Sequence, residues 1–114
     1  MIPEHFLKKP VKFSQDLSTG ALDFTTSVGR NFGIEEVTLK STVAITEIVT
    51  VSRDSKSGAV YDTDLAKATL KSERSFVFRP SGNCNFIAGD ECRIQCTTAN
   101  GVGIVSGELK LREM

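Results

Sequence analysis

The chain has no tryptophan, a single tyrosine and a single histidine in 114 residues, and its charges cancel, with 14 Lys and Arg against 14 Asp and Glu. Each scarcity excludes something. One histidine, His5, leaves few ways to pair a nucleophile with a base, so an enzyme of the Ser–His or Cys–His kind is not expected. Balanced charge removes the positive field with which nucleic-acid binders collect phosphates, and no DNA or RNA partner is expected. No apolar run approaches the roughly 20 residues that span a bilayer, so no membrane segment is expected either. The start, "MIPEHFLKKPVKF", lacks the apolar stretch and small-residue cleavage site of a secretory leader, which points to synthesis in a cytoplasm. Three cysteines, Cys84, Cys92 and Cys96, cannot all pair within the chain and are too unevenly spaced for a disulfide framework, so free thiols are expected.

What is present is the composition of one globular domain. A chain of this length buries roughly two thirds of the surface its unfolded form exposes, enough to fold with no metal or disulfide. From Phe32 onward the pattern has period two. In "IEEVTLKS", Val37 and Leu39 alternate with Glu36, Thr38 and Lys40, and in "IVTVSRDS" Val49 and Val51 alternate with Thr50 and Ser52. "TVAITE" between them is short enough for a hairpin or a corner. "DLAKATL" suits one turn of helix or a short edge strand. "RSFVFRP" sets Phe76 and Phe78 against Val77 and stops at Pro80, which has no N–H for a ladder; "SGN" then turns the chain. In "CRIQC", Cys92, Ile94 and Cys96 share a face, and "TTANG" carries the Asn-Gly signal of a tight turn. The last segment, "VGIVSGELKLRE", has Val105, Leu109 and Leu111 in one phase and Val102 and Ile104 in the other, so a bulge at Gly103 or Gly107 is expected. "VKFSQDL" and "LDFTTS" read as two earlier strands around "STG". No stretch holds apolar spacing of three and four over three turns, so helix should be scarce. The expected architecture is all-β, a β-sandwich of jelly-roll type with about 7–8 antiparallel strands, residues 13–114, preceded by an extended arm, residues 1–12.

Candidate sites are few. Cys92 and Cys96, four residues apart in a strand, stand about 13 Å from one another, too far to share a disulfide or an ion, and their phase with Ile94 makes them small core side chains. Asp54, Asp62, Asp64 and Asp90 have no calcium-loop spacing and suit turns, with Gly89 and Asp90 leading tightly into the next strand. No metal and no cofactor is expected. A sugar platform needs exposed rings, and Tyr61 in "AVYDTDL" is the one ligand-loop candidate. The basic stretch of Lys8, Lys9 and Lys12, facing only Glu4, suits either solvent or an acidic partner surface.

The run "IEEVTLKSTVAITEIVTVSRDSKSGAVYDTDL", followed by "FVFRP", "FIAGDECRIQC" and a closing strand after "TTANG", resembles the small decoration, cement or staple proteins of tailed-bacteriophage heads. The resemblance covers about residues 28 to 112 and rests on the order of strand patterns, the "YDT" and the late "GD". It implies a jelly roll acting as a homo-oligomer, trimer or dimer, on the major capsid protein of an assembled head, and hence a virion location with no catalytic role. The arm, with Phe6, Lys8, Lys9 and Lys12, is the expected capsid contact, unless it serves as the domain's own edge strand. A receptor- or glycan-binding jelly roll of a phage fibre, tail or baseplate is the alternative, with Tyr61 in its ligand loop.

Overall fold

Alternation of apolar and polar residues in nearly every segment drives the chain into strands, which pack their apolar sides together. The computed structural model describes residues 11–27, 31–55, 58, 63–80 and 85–113. Among them are nine strands and no helix: β1 (Val11–Asp16), β2 (Leu22–Ser27), β3 (Phe32–Ile45), β4 (Ile48–Asp54), β5 (Thr63–Thr69), β6 (Glu73–Phe78), β7 (Asn85–Phe86), β8 (Glu91–Cys96) and β9 (Ile104–Glu113). One sheet runs β1-β9-β3-β6, with the two-residue β7 also on β3; the other runs β2-β8-β4-β5. Every pairing is antiparallel. The chain passes from one sheet to the other at each connection except the β4–β5 hairpin and the β6–β7 link. That interleaved order over two packed sheets is the jelly roll expected from the sequence, with β7 added to its eight strands.

The inner faces meet in one core. Val37, Leu39, Val105, Leu109 and Leu111 come from the first sheet, and Val49, Val51, Cys92, Ile94 and Cys96 from the second, all buried. Phe13 and Phe24 stack across the gap between β1 and β2, ring centroids 5.0 Å apart. Each large aliphatic side chain so buried stabilises the fold by about 1.5–3 kcal/mol relative to leaving it exposed.

Four local expectations are corrected. "TVAI" is no connection: β3 runs on to Ile45, and only Thr46 and Glu47 form the corner to β4. Of the two readings of "DLAKATL", the edge strand holds: it is β5, whose register shift leaves Leu65 unopposed between Ala66 and Asp64. The bulge foreseen in the last strand lies in β3, where Ile34 faces Leu111 and Glu36 faces Lys110, leaving Glu35 as the extra residue. Val105, Leu109 and Leu111 keep one phase throughout, and Val102 and Ile104 simply precede them facing outward. "TTANG" makes no hairpin, because β8 and β9 belong to different sheets; Gly101 (φ 61°) and Gly103 (φ 88°) turn a crossover instead. Val11 and Lys12, assigned to the arm, pair with Leu109 and Glu108 inside β1. The "SGN" turn lies outside the described residues, as does the arm up to Pro10.

Gly107 sits where β9 passes beneath the Phe13 ring. A Cβ there would stand 2.7 Å from Phe13 Cζ and collide with the Thr38 carbonyl oxygen. Backbone cannot retreat as a flexible side chain does, so Gly107→Ala is expected to lose about 1–3 kcal/mol in urea unfolding. A loss under about 0.5 kcal/mol would contradict this packing.

Candidate functional site

Expected contacts divide sharply on the structure. Phe6, Lys8, Lys9 and Tyr61 lie outside the described residues, as do His5, Asp62 and Cys84. Lys12 is placed: it is exposed on β1 and points away from the core, opposite in phase to buried Phe13.

Around Lys12 the outer face of the first sheet sinks into an open groove of about 720 Å³. Its lining comes from alternate residues of three adjacent strands. Register places Lys12 beside Glu108 and Glu108 beside Thr38, while Ser14, Ser106 and Lys40 form the next row. The floor is low because its side chains are short: Ser14, Ser106, Thr38 and the bare backbone of Gly107. Glu36 lies at one side, bonded to Arg79 and 3.4 Å from Lys110. The Arg79 hydrogen bond, working against desolvation and helped by the charges of Arg79 and Lys110, holds the Glu36 carboxyl below its ordinary value of 4.5. Its charge is thus already answered. Lys12, Lys40 and Glu108 form no ion pair among the described residues. The groove therefore presents ammonium groups and hydroxyls to solvent, a donor-rich surface suited to acceptor oxygens.

A second, smaller depression of about 380 Å³ lies on the outer face of the other sheet. Asp54 and Asp64 line it, on strands rather than in the loops expected for them, and they share it with Arg53 and Arg93. Arg93 is further bonded to both carboxylate oxygens of Asp23, at 3.1 and 3.2 Å. Among the described residues no three His, Cys, Asp or Glu gather as a metal site.

Cys92 and Cys96 are reduced thiols, fully buried on the inner face of β8, as their phase foretold. Burial, aided by the nearby Glu47 carboxylate, raises the Cys96 thiol from 9.0 to about 11, so the reactive thiolate is scarce at neutral pH. Asp90 is also buried and ties the turn before β8: its Oδ2 accepts from the Ile87 N–H at 3.1 Å, and its own N–H donates to the Ile87 carbonyl at 3.0 Å.

The residue missed in the sequence is Glu47, only 2% exposed at the β3–β4 corner. Its Oε1 accepts from the Thr97 hydroxyl (2.7 Å) and the Ala99 N–H (2.9 Å), and its Oε2 from the Asn100 N–H (2.9 Å). The Asn100 side chain returns a bond to the Thr46 carbonyl at 2.8 Å. Desolvation pushes the Glu47 carboxyl up, and the bonds from Asn100, Thr97 and Ala99 outweigh it, so its pKa lies below 4.5. A glutamate opening onto a predicted turn gave no signal in one dimension; its partners lie some fifty residues on.

No family model matches the chain, and no curated protein does. Eight chains of solved structures match it. One is the Drosophila NLP-core, described for pentamer formation and histone binding: it is 13% identical, the match covers 92% of this chain and 99% of that one, and the TM-score is 0.45. Pentamers and histones are properties of that protein.

Proposed function

We propose that this chain is a structural interaction module, a decoration or cement protein that binds the assembled head of a tailed phage as a homo-oligomer and stabilises it. The observation that carries the proposal is where the chain keeps its chemistry. Cys92 and Cys96 are sealed in the core, Glu47 and Asp90 are engaged in tying turns, and the groove around Lys12 faces solvent with donors to offer. The likeness over residues 28 to 112 to small phage head proteins points the same way, and a jelly roll supplies the rigid frame such a role needs.

Stabilisation follows from linkage. A module that binds the expanded shell and not the unassembled subunits lowers the free energy of the shell by RT ln(1 + [L]/Kd), about 2.7 kcal/mol for each site at a hundredfold excess over Kd. Repetition around a lattice multiplies modest contacts, and linked copies gain further from effective concentration. Purified protein is expected to bind expanded heads saturably and to slow their bursting under heat or chelation. Heads that take up none, at any protein concentration, would contradict the proposal.

A further inference from the structure

We infer that the groove on the outer face of the first sheet receives an acidic, extended segment of a partner protein, with carboxylates seated between Lys12 and Lys40 above Ser14 and Ser106. The proposed head-binding role supplies the identity of that partner; the chemistry of the groove stands without it.

Charge is the first argument. The chain as a whole is neutral, yet among the described residues Lys12, Lys40, Lys110 and Arg79 around the groove face two carboxylates, Glu36 and Glu108, and Glu36 is already shared by two of the four cations. Neither Lys12, which has Glu108 beside it in the ladder, nor Lys40 forms an ion pair among the described residues. They lie two strands and two residues apart in register, on the order of 12 Å between backbones, so both ammonium groups can reach inward over the hydroxyl rows between them. Carboxylate oxygens placed there meet charged donors from two sides and hydroxyl donors from below, the pattern that gives the stronger hydrogen bonds.

Shape is the second. A face three strands wide spans on the order of 10 Å, room for one extended chain with its side chains, and two copies of a concave face cannot close on each other. The ten residues before β1 carry Lys8 and Lys9 against Glu4, the wrong sign for this groove. The occupant is therefore neither a second groove nor the chain's own leading segment.

The test measures fluorescence anisotropy of a labelled hexaglutamate peptide with the full chain at low salt. Binding is expected, weakened by physiological salt, and about tenfold weaker for the double variant Lys12→Glu, Lys40→Glu. A control with the same change in net charge, Lys67→Glu with Lys71→Glu on and beyond the edge strand of the other sheet, is expected to bind as the native chain does. Glu108→Gln, which removes the one unanswered carboxylate, is expected to bind more tightly, a gain that a role in folding alone would not produce. No binding, binding kept by the groove variant, equal loss in the control, or preference for hexagalacturonate over hexaglutamate would each overturn the assignment. Expanded heads separate the two proposals. Heads that bind the groove variant as well as the native chain leave the decoration role standing and remove the groove from it; heads that bind neither, with hexaglutamate still held through Lys12 and Lys40, do the reverse.

Discussion

Glu47→Ala is expected to lower the free energy of unfolding by about 3–5 kcal/mol, a large share of the 5–15 kcal/mol that holds a domain of this size. Three donors converge on this carboxylate, and each hydrogen bond to a charged group contributes about 1.5–3 kcal/mol before non-additivity is allowed for. Removing the acceptor leaves the Ala99 and Asn100 N–H groups and the Thr97 hydroxyl without the buried carboxylate that orders this exposed loop. The damage spreads, because the Leu70 N–H bonds the Glu47 carbonyl at 2.8 Å and the Ile48 N–H bonds Thr97 Oγ1 at 2.9 Å. One corner thus joins the β3–β4, β5–β6 and β8–β9 connections. Glu47→Gln keeps the volume but turns an amide N–H₂ toward backbone donors, so it is expected to lose about 2–3 kcal/mol.

The acid limb of the stability curve gives an independent check. The folded pKa of Glu47 lies below 4.5, so its contribution is fully present above about pH 4.5 and is lost as pH falls through the folded value. Cys96 acts at the other end: its folded pKa, raised from 9.0 to about 11, makes stability fall as pH climbs from about 9 through about 11. Chemical denaturation from pH 3 to pH 7 is expected to show the difference between native chain and Glu47→Gln shrinking on the acid side. A difference that stays constant with pH would mean that the carboxylate charge plays no part in the corner.

Phe86→Ala is expected to be as severe, about 3–5 kcal/mol. Phe86 is 1% exposed and stacks on Phe32 with ring centroids 4.7 Å apart and planes 21° from parallel. The Arg53 guanidinium from the other sheet stands 5.9 Å from its centre. The strand that carries it is only two residues long, so the ladder to Phe32 and Gly33 holds little by itself and the ring is the anchor. Loss of the ring opens a cavity and frees β7 together. Hydrogen exchange should report faster opening of the Phe32–Gly33 amides than of those in β8, and Phe86→Leu should recover most of the stability because its volume is closer. An alanine variant within about 1 kcal/mol of the native chain would show that the site collapses without cost.

Much of this architecture is written locally. "CRIQC", "IVTVSRDS" and "IEEVTLKS" each bury one face and wet the other, and period two is legible wherever a strand lies over the core along its whole length. The far half of β3 was not legible for that reason. Thr42, Val43 and Ala44 are all exposed, and the register to β6 slips between Lys40 and Ile45, so the alternation lapses until Ile45 returns to the core. The Asn-Gly signal was real in kind, since Gly101 adopts positive φ, but turn chemistry does not say whether the next strand returns beside the last or crosses to the opposite sheet. The groove was half legible. Lys12 stood out through its basic neighbours in the chain, whereas the partners that matter, Lys40, Ser106 and Glu108, come from strands that only the fold brings beside it.

Electron cryomicroscopy of expanded heads saturated with the native chain tests the central claim most directly. The expected map shows jelly-roll density on the outer surface of the shell, repeated with its lattice, with the face bearing Lys12 and Lys40 turned toward an acidic segment of the capsid protein. Heads whose lattice carries no added density at saturating concentration would contradict it.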